Sequence, residues 1–152
     1  MDVNEEIVKE YFELVENCIV RANIEYGKYH SAIDLLAIDK NGNIKDIEVK
    51  WKSRIVIEDS TSKQNGFKHI VNQLKDMRRN ESIKELLGKE PTHKIFVTTK
   101  HFFSISNFDY WKNRFKEQNI EVLFFDDIIP KLVEKIKIKG KYESPVLQTI
   151  RM

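Results

Sequence analysis

The chain has 152 residues, 41% hydrophobic and 33% charged, enough for one domain, 1–152, with a substantial core. Its net charge of +2 is too small to mark a nucleic-acid binder, so only local clustering can argue for one. The single cysteine excludes an internal disulfide, no apolar run approaches the ~20 residues a membrane span needs, and the acidic start MDVNEEIVKE lacks a signal peptide's pattern; together these fit a soluble, cytoplasmic protein.

Residues 4–18 read as a helix, with Ile7, Val8, Tyr11, Phe12, Val15 and Cys18 at three- and four-residue spacing. Cys18 falls on that apolar side and reads as a buried thiol. Residues 18–24 and 32–38 read as strands, the second apolar on both faces except at Asp34. Lys40-Asn41-Gly42 is a hairpin signal leading to a third strand, 44–51. A helix carrying Phe67, Ile70, Val71, Leu74 and Met77 follows, and a shorter one, 81–87, ends at Gly88. Residues 93–99 form a fourth strand, Phe108, Trp111 and Phe115 mark a helix face, and 120–125 form a fifth strand. Asp126 and Asp127 are placed to cap a last helix with Pro130 in its first turn. Strands joined by a hairpin are antiparallel, and those joined through helices are parallel. The expected fold is α/β: a mixed sheet flanked by helices, with an αβββαβ core and a C-terminal αβα extension.

The stretch DIEVKW (46–51) carries the chemistry. Asp46, Glu48 and Lys50 share one strand face, and Ile47, Val49 and Trp51 share the other. Whether Asp34 joins them depends on hairpin parity. A two-residue Asn41-Gly42 turn, the commoner choice for Asn-Gly, puts Asp34 and Glu48 on opposite faces. A three-residue loop with Gly42 left-handed pairs Asp39 with Asn43 and sets Asp34 opposite Glu48. The second gathers one charged cluster instead of scattering two, and is the expectation adopted. The two carboxylates would then have Cβ atoms roughly 5 Å apart. Such repulsion is relieved by a hard divalent cation, Mg²⁺ or Mn²⁺. Lys50 on the same face can orient or help deprotonate a water, or stabilise charge on phosphorus. Helical phase selects Glu5, not Glu6, as an N-terminal glutamate able to reach the sheet. A bland alternative makes Asp46, Glu48 and Lys50 a solvated face. Leu36 and Ile38 on Asp34's face argue against it, since an unpaired buried carboxylate is costly.

From Glu5 to about Thr99 the chain resembles the PD-(D/E)XK nuclease superfamily, the restriction endonuclease-like proteins, and within it the archaeal Holliday-junction resolvases. The motif residues are Asp34 and Glu48-Val49-Lys50. Ile33 stands where a proline often precedes the aspartate. The resemblance implies that Asp34, Glu48 and the Val49 carbonyl hold the metal, and that Lys50 assists hydrolysis. Gln73, or else Gln64, matches a glutamine many members carry on the following helix.

Basic residues follow the motif strand: Lys52, Arg54, Lys63, Lys68, His69, Lys75, Arg78 and Arg79. Such groups can neutralise phosphates. Lys52, Arg54, Lys68 and Gln73 are the expected DNA contacts, with the acidic first helix facing away. Tyr26, Tyr29 and His30 precede Asp34 and suit either a nucleic-acid backbone or a cap on the sheet. His93 and His101 lack metal-ligand spacing, and Phe108, Trp111 and Phe115 read as core. The expectation is a Mg²⁺-dependent endonuclease on DNA, branched or junction DNA included, with a homodimer in view. The alternative is a non-catalytic nucleic-acid- or partner-binding module on the same fold.

Overall fold

The structure, a computed structural model, describes residues 1–27, 31–51, 66–102 and 108–139. Tyr29, His30, Lys52, Arg54, Lys63, Gln64 and the tail from 140 onward lie outside the described residues.

Helix α1 spans Val3–Leu14. The Asp2 side chain accepts from the Glu5 N–H at 2.8 Å and the Glu5 carboxylate accepts from the Asp2 N–H at 3.2 Å. These bonds satisfy two donors that a helix start leaves orphaned. Ile7, Val8, Tyr11 and Phe12 form its buried stripe. The helix ends four residues earlier than its periodicity suggests, because Asn17 turns left-handed (φ 56°) and the Cys18 N–H donates to the Phe12 carbonyl at 2.8 Å. Cys18 therefore lies beyond the helix rather than on its face, and is buried all the same.

Strands β1 (Ile19–Tyr26), β2 (Ser31–Ile38), β3 (Ile44–Lys50), β4 (His93–Thr98) and β5 (Ile120–Phe124) form one sheet in that spatial order. The first three are antiparallel, and β3, β4 and β5 run parallel. The β2–β3 hairpin uses the three-residue loop. The Asp39 N–H donates to the Asn43 carbonyl at 3.1 Å, the Gly42 N–H donates to the Asp39 carbonyl at 3.0 Å, and Gly42 has φ 79°. Asp39 decides this outcome, since its carboxylate accepts from the Asn41 and Asn43 amides at 2.9 Å each and from the Asn43 side chain at 3.1 Å. The ladder pairs Leu35 with Ile47 and Leu36 with Asp46, so its continuation sets Asp34 opposite Glu48.

Helices α2 (Gly66–Leu74), α3 (Met77–Leu87) and α4 (Phe108–Glu117) cover one face, and α1 and α5 (Phe125–Lys139) cover the other. On the α1/α5 side, Leu35, Ala37, Ile47, Val49, Ile95 and Val97 meet Val8, Phe12, Ile128 and Leu132. On the other side, Phe96, Val122 and Phe124 meet Ile70, Leu74, Trp111 and Phe115. Met77, read from the sequence as apolar face, is 74% exposed. Asp76 breaks the helix before it by accepting from the Arg78 N–H at 2.9 Å, which restarts the helical phase. Helix α5 begins at Phe125, so Asp126 and Asp127 sit in its first turn instead of capping it, and Pro130 lies inside the helix beyond that turn. The element order and layers match the restriction endonuclease-like arrangement expected from the sequence. Among the described residues, no helix is long and apolar enough to cross a membrane.

Candidate functional site

The site forms where β2 begins alongside the end of β3, at the carboxyl edge of the parallel strands, where open α/β sheets commonly bind ligands. Asp34 sits at a local break in the sheet. The β1–β2 ladder skips its position, opposite Asn23 with φ 52°, and the β2–β3 ladder stops at Leu35 and Ile47. Asn tolerates the left-handed backbone that such a break requires. In place of a ladder bond, the Asp34 Oδ2 accepts from the Val49 N–H at 2.8 Å.

Glu48 lies beside Asp34, and Glu5 reaches Asp34 from the start of α1. Burial, and next the charge of Glu48, push the Asp34 carboxyl up to about 7; the Val49 amide and the Lys50 ammonium pull the other way. Burial and the neighbouring Asp34 likewise hold Glu5 above the ordinary carboxylate range. Lys50 is part-buried at the end of β3, in register with Thr98 of β4.

The charged face of β3 is not solvated: Asp46 is 0% exposed and Glu48 is 2% exposed. Their partner is Arg79, expected from the sequence to meet phosphates and found instead fully buried. Its Nε lies 3.1 and 2.9 Å from the two Asp46 oxygens, its Nη2 donates to Asp46 Oδ1 at 2.6 Å, and its Nη1 donates to Glu48 Oε2 at 3.0 Å. Burial alone would lower the guanidinium's pKa; Asp46, then Glu48, outweigh it and raise it. Lys94 of β4 donates to Asp46 Oδ2 at 2.6 Å and also to Asn80. Gln73 of α2 donates to Glu48 Oε1 at 3.1 Å, which places it against the acid pair. Within this set two carboxylates on β3 face two cations, the balance a low-dielectric interior demands.

Elsewhere in the basic cluster, Lys75 donates to Gln118 at 2.9 Å and Arg78 pairs with Asp76 at 2.9 Å. Lys68 and His69 lie exposed on α2. Tyr26 is core, its ring 5.9 Å from the Arg79 guanidinium carbon. Trp111 and Phe115 are buried as expected, and His93 and His101 are exposed. Sequence reading missed the clamp on Glu48. The one available signal was the Asp46/Glu48 pairing on a strand too apolar to be solvated.

Among the described residues, no cluster of three or more His, Cys, Asp or Glu side chains stands ready-formed as a metal cage. A hard cation such as Mg²⁺ needs only one or two carboxylates plus water. The donors here suit one: all are oxygens, the crowded acids repel each other, and the Gln73 Oε1, next to Glu48, is buried with no hydrogen-bond partner.

No family model and no curated protein matches the chain. Among solved structures it is similar to an XisH family protein from Nostoc punctiforme, with 15% identity, TM-score 0.50, and coverage of 84% of this chain and 92% of that one. It also aligns with a repair endonuclease from Pyrococcus abyssi, with 21% identity and TM-score 0.46, over 79% of this chain and 44% of that one. At this identity the first likeness concerns the fold.

Proposed function

We propose that the protein is a metal-dependent endonuclease of the PD-(D/E)XK type that hydrolyses DNA phosphodiester bonds. The observation that carries this reading is Asp34, flanked by Glu48 and Lys50 and reached by Glu5, at a break in the ladder where the Val49 amide holds it. Elements far apart in sequence are bent to bring like charges together, an arrangement that costs stability unless a cation or proton is shared.

In this reading Asp34, Glu48 and the Val49 carbonyl would hold Mg²⁺ or Mn²⁺, which when bound would supply positive charge against the scissile phosphate. Lys50 orients the attacking water and offsets the charge that grows on the phosphoryl oxygens. Glu5 extends the acidic wall toward α1. Lys68 on the exposed side of α2, with Lys52 and Arg54, supplies backbone contacts. Branched or junction DNA as substrate, and a homodimer as the working form, belong to the same proposal.

Supercoiled plasmid with Mg²⁺ tests it. Wild type is expected to nick, and Asp34→Ala and Lys50→Ala to lose at least about 100-fold, the scale of a lost positioned group. Equal activity in all three rejects catalysis here. Four-way junctions compared with linear duplex decide the substrate, and gel filtration decides the dimer. One observation favours the non-catalytic alternative: Gln73 and Arg79 already engage both Glu48 oxygens. DNA binding without Mg²⁺-dependent nicking would select that reading.

A further inference from the structure

We propose that Arg79 is a positioning residue, fixing the Glu48 carboxylate for the cation and the scissile phosphate through a buried relay anchored on Asp46. The inference rests on the nuclease reading above, and it assigns to Arg79 a role other than DNA contact.

The geometry is directional. Arg79 sits on α3, 31 residues from Glu48. Its Nε and Nη2 are both taken by Asp46, leaving Nη1 aimed at Glu48 Oε2. Asp46 is fixed in turn by Lys94, and Lys94 by Asn80. Asp46 and Glu48 are two residues apart on one strand, so a planar guanidinium spans both in a way a lysine's point charge cannot. Arg79 and Asp46 are each 0% exposed, so Arg79 cannot touch DNA. Gln73 holds the other Glu48 oxygen at 3.1 Å. Glu48 is thereby confined from two sides, and its rotamer no longer has to be selected when the cation arrives.

Arg79→Lys is the test, because it keeps the charge and removes the fork. Mn²⁺ titration followed by electron paramagnetic resonance, steady-state plasmid cleavage and thermal melting are measured together. The expected result is a folded protein whose Mn²⁺ affinity and kcat each fall about 10–100-fold, the range seen when groups holding a metal ligand are lost. KM for DNA should not change. Asp46→Asn, which loosens Arg79 from its other end, should show the same split. Unchanged kcat and Mn²⁺ affinity in a folded Arg79→Lys protein overturns the proposal. A raised KM with unchanged kcat also overturns it, since that marks direct DNA contact. If both variants unfold, Arg79 serves stability alone and the proposal falls. A wild type that neither binds Mn²⁺ nor cleaves removes the nuclease reading itself, an outcome visible without any variant.

Discussion

Asp34 holds a proton to a pH where ordinary aspartates have lost theirs, and this has a thermodynamic consequence. In the unfolded chain its pKa is the ordinary 3.8; folded, it is pushed up to about 7 by burial and Glu48. Between those values the folded state binds a proton that the unfolded state does not. The stabilising contribution is therefore complete below pH about 3.8 and is lost as pH rises through about 7. Glu5, raised by burial and by Asp34, acts in the same direction. Asp39 and Asp76, lowered chiefly by hydrogen bonds from Asn43 and Arg78, act in the opposite one. The difference between wild type and Asp34→Asn isolates the site. Urea midpoints of wild type should fall relative to the variant as pH rises from about 3.8 to about 7, and level off above that. Mg²⁺ should restore the wild type at the higher pH by replacing the proton. A parallel pair of pH profiles would show that Asp34 is not crowded.

The hairpin between β2 and β3 is the element on which the site depends, because one residue more or less in its loop moves Asp34 to the other face. Asp39 and Gly42 hold the longer loop together. Gly42 has φ 79°, where a Cβ is strained by about 1–2 kcal/mol. A Cβ there would meet only the Lys89 Nζ at 3.4 Å, a flexible end that can move, so the backbone carries the cost. Gly42→Ala is expected to lower stability by about 1 kcal/mol, and Gly42→Asn by less, as read by urea unfolding. Helix α3 illustrates the opposite dependence. Its own sequence, MRRNESIKELL, is polar, and Ile83 and Arg79 are the residues it buries. What it contributes at Arg79 is a charge delivered to β3.

Across the whole molecule, two helical layers enclose a sheet whose middle strands carry the acids of the site. Phe96 of β4 is the register partner of Glu48 and is fully buried, with ring centroids 5.3 Å from Phe102 and 5.4 Å from Phe115. Phe96→Ala leaves a cavity beneath the site and is expected to cost about 3–5 kcal/mol in guanidinium unfolding. A smaller loss would mean that α4 collapses into the space. Thr98, beside Lys50 in register, is also fully buried, and its hydroxyl finds no hydrogen-bond partner among the described residues. The carboxyl edge of β3 and β4 thus keeps polar capacity in reserve near Glu48 and Lys50.

Local physics was enough to read the order of elements from the chain. Periodicities of 2.0 and 3.6 reveal where apolar residues face a common core, and period two alone puts Asp46, Glu48 and Lys50 on one side of β3. Hairpin parity was only half legible. Asn-Gly permits either loop, and the side-chain bonds of Asp39 to Asn41 and Asn43 select the longer one. That Asp46 and Glu48 needed a cationic partner was legible from their apolar strand; that Arg79 is this partner was not. An Arg78-Arg79 pair after a helix break reads as surface charge, and only one of the two is. Burying a charge depends on partners that are remote in sequence, here Asp46 and Glu48 on another element. Local pattern carries no trace of that pairing, so it was decided when α3 packed against the sheet.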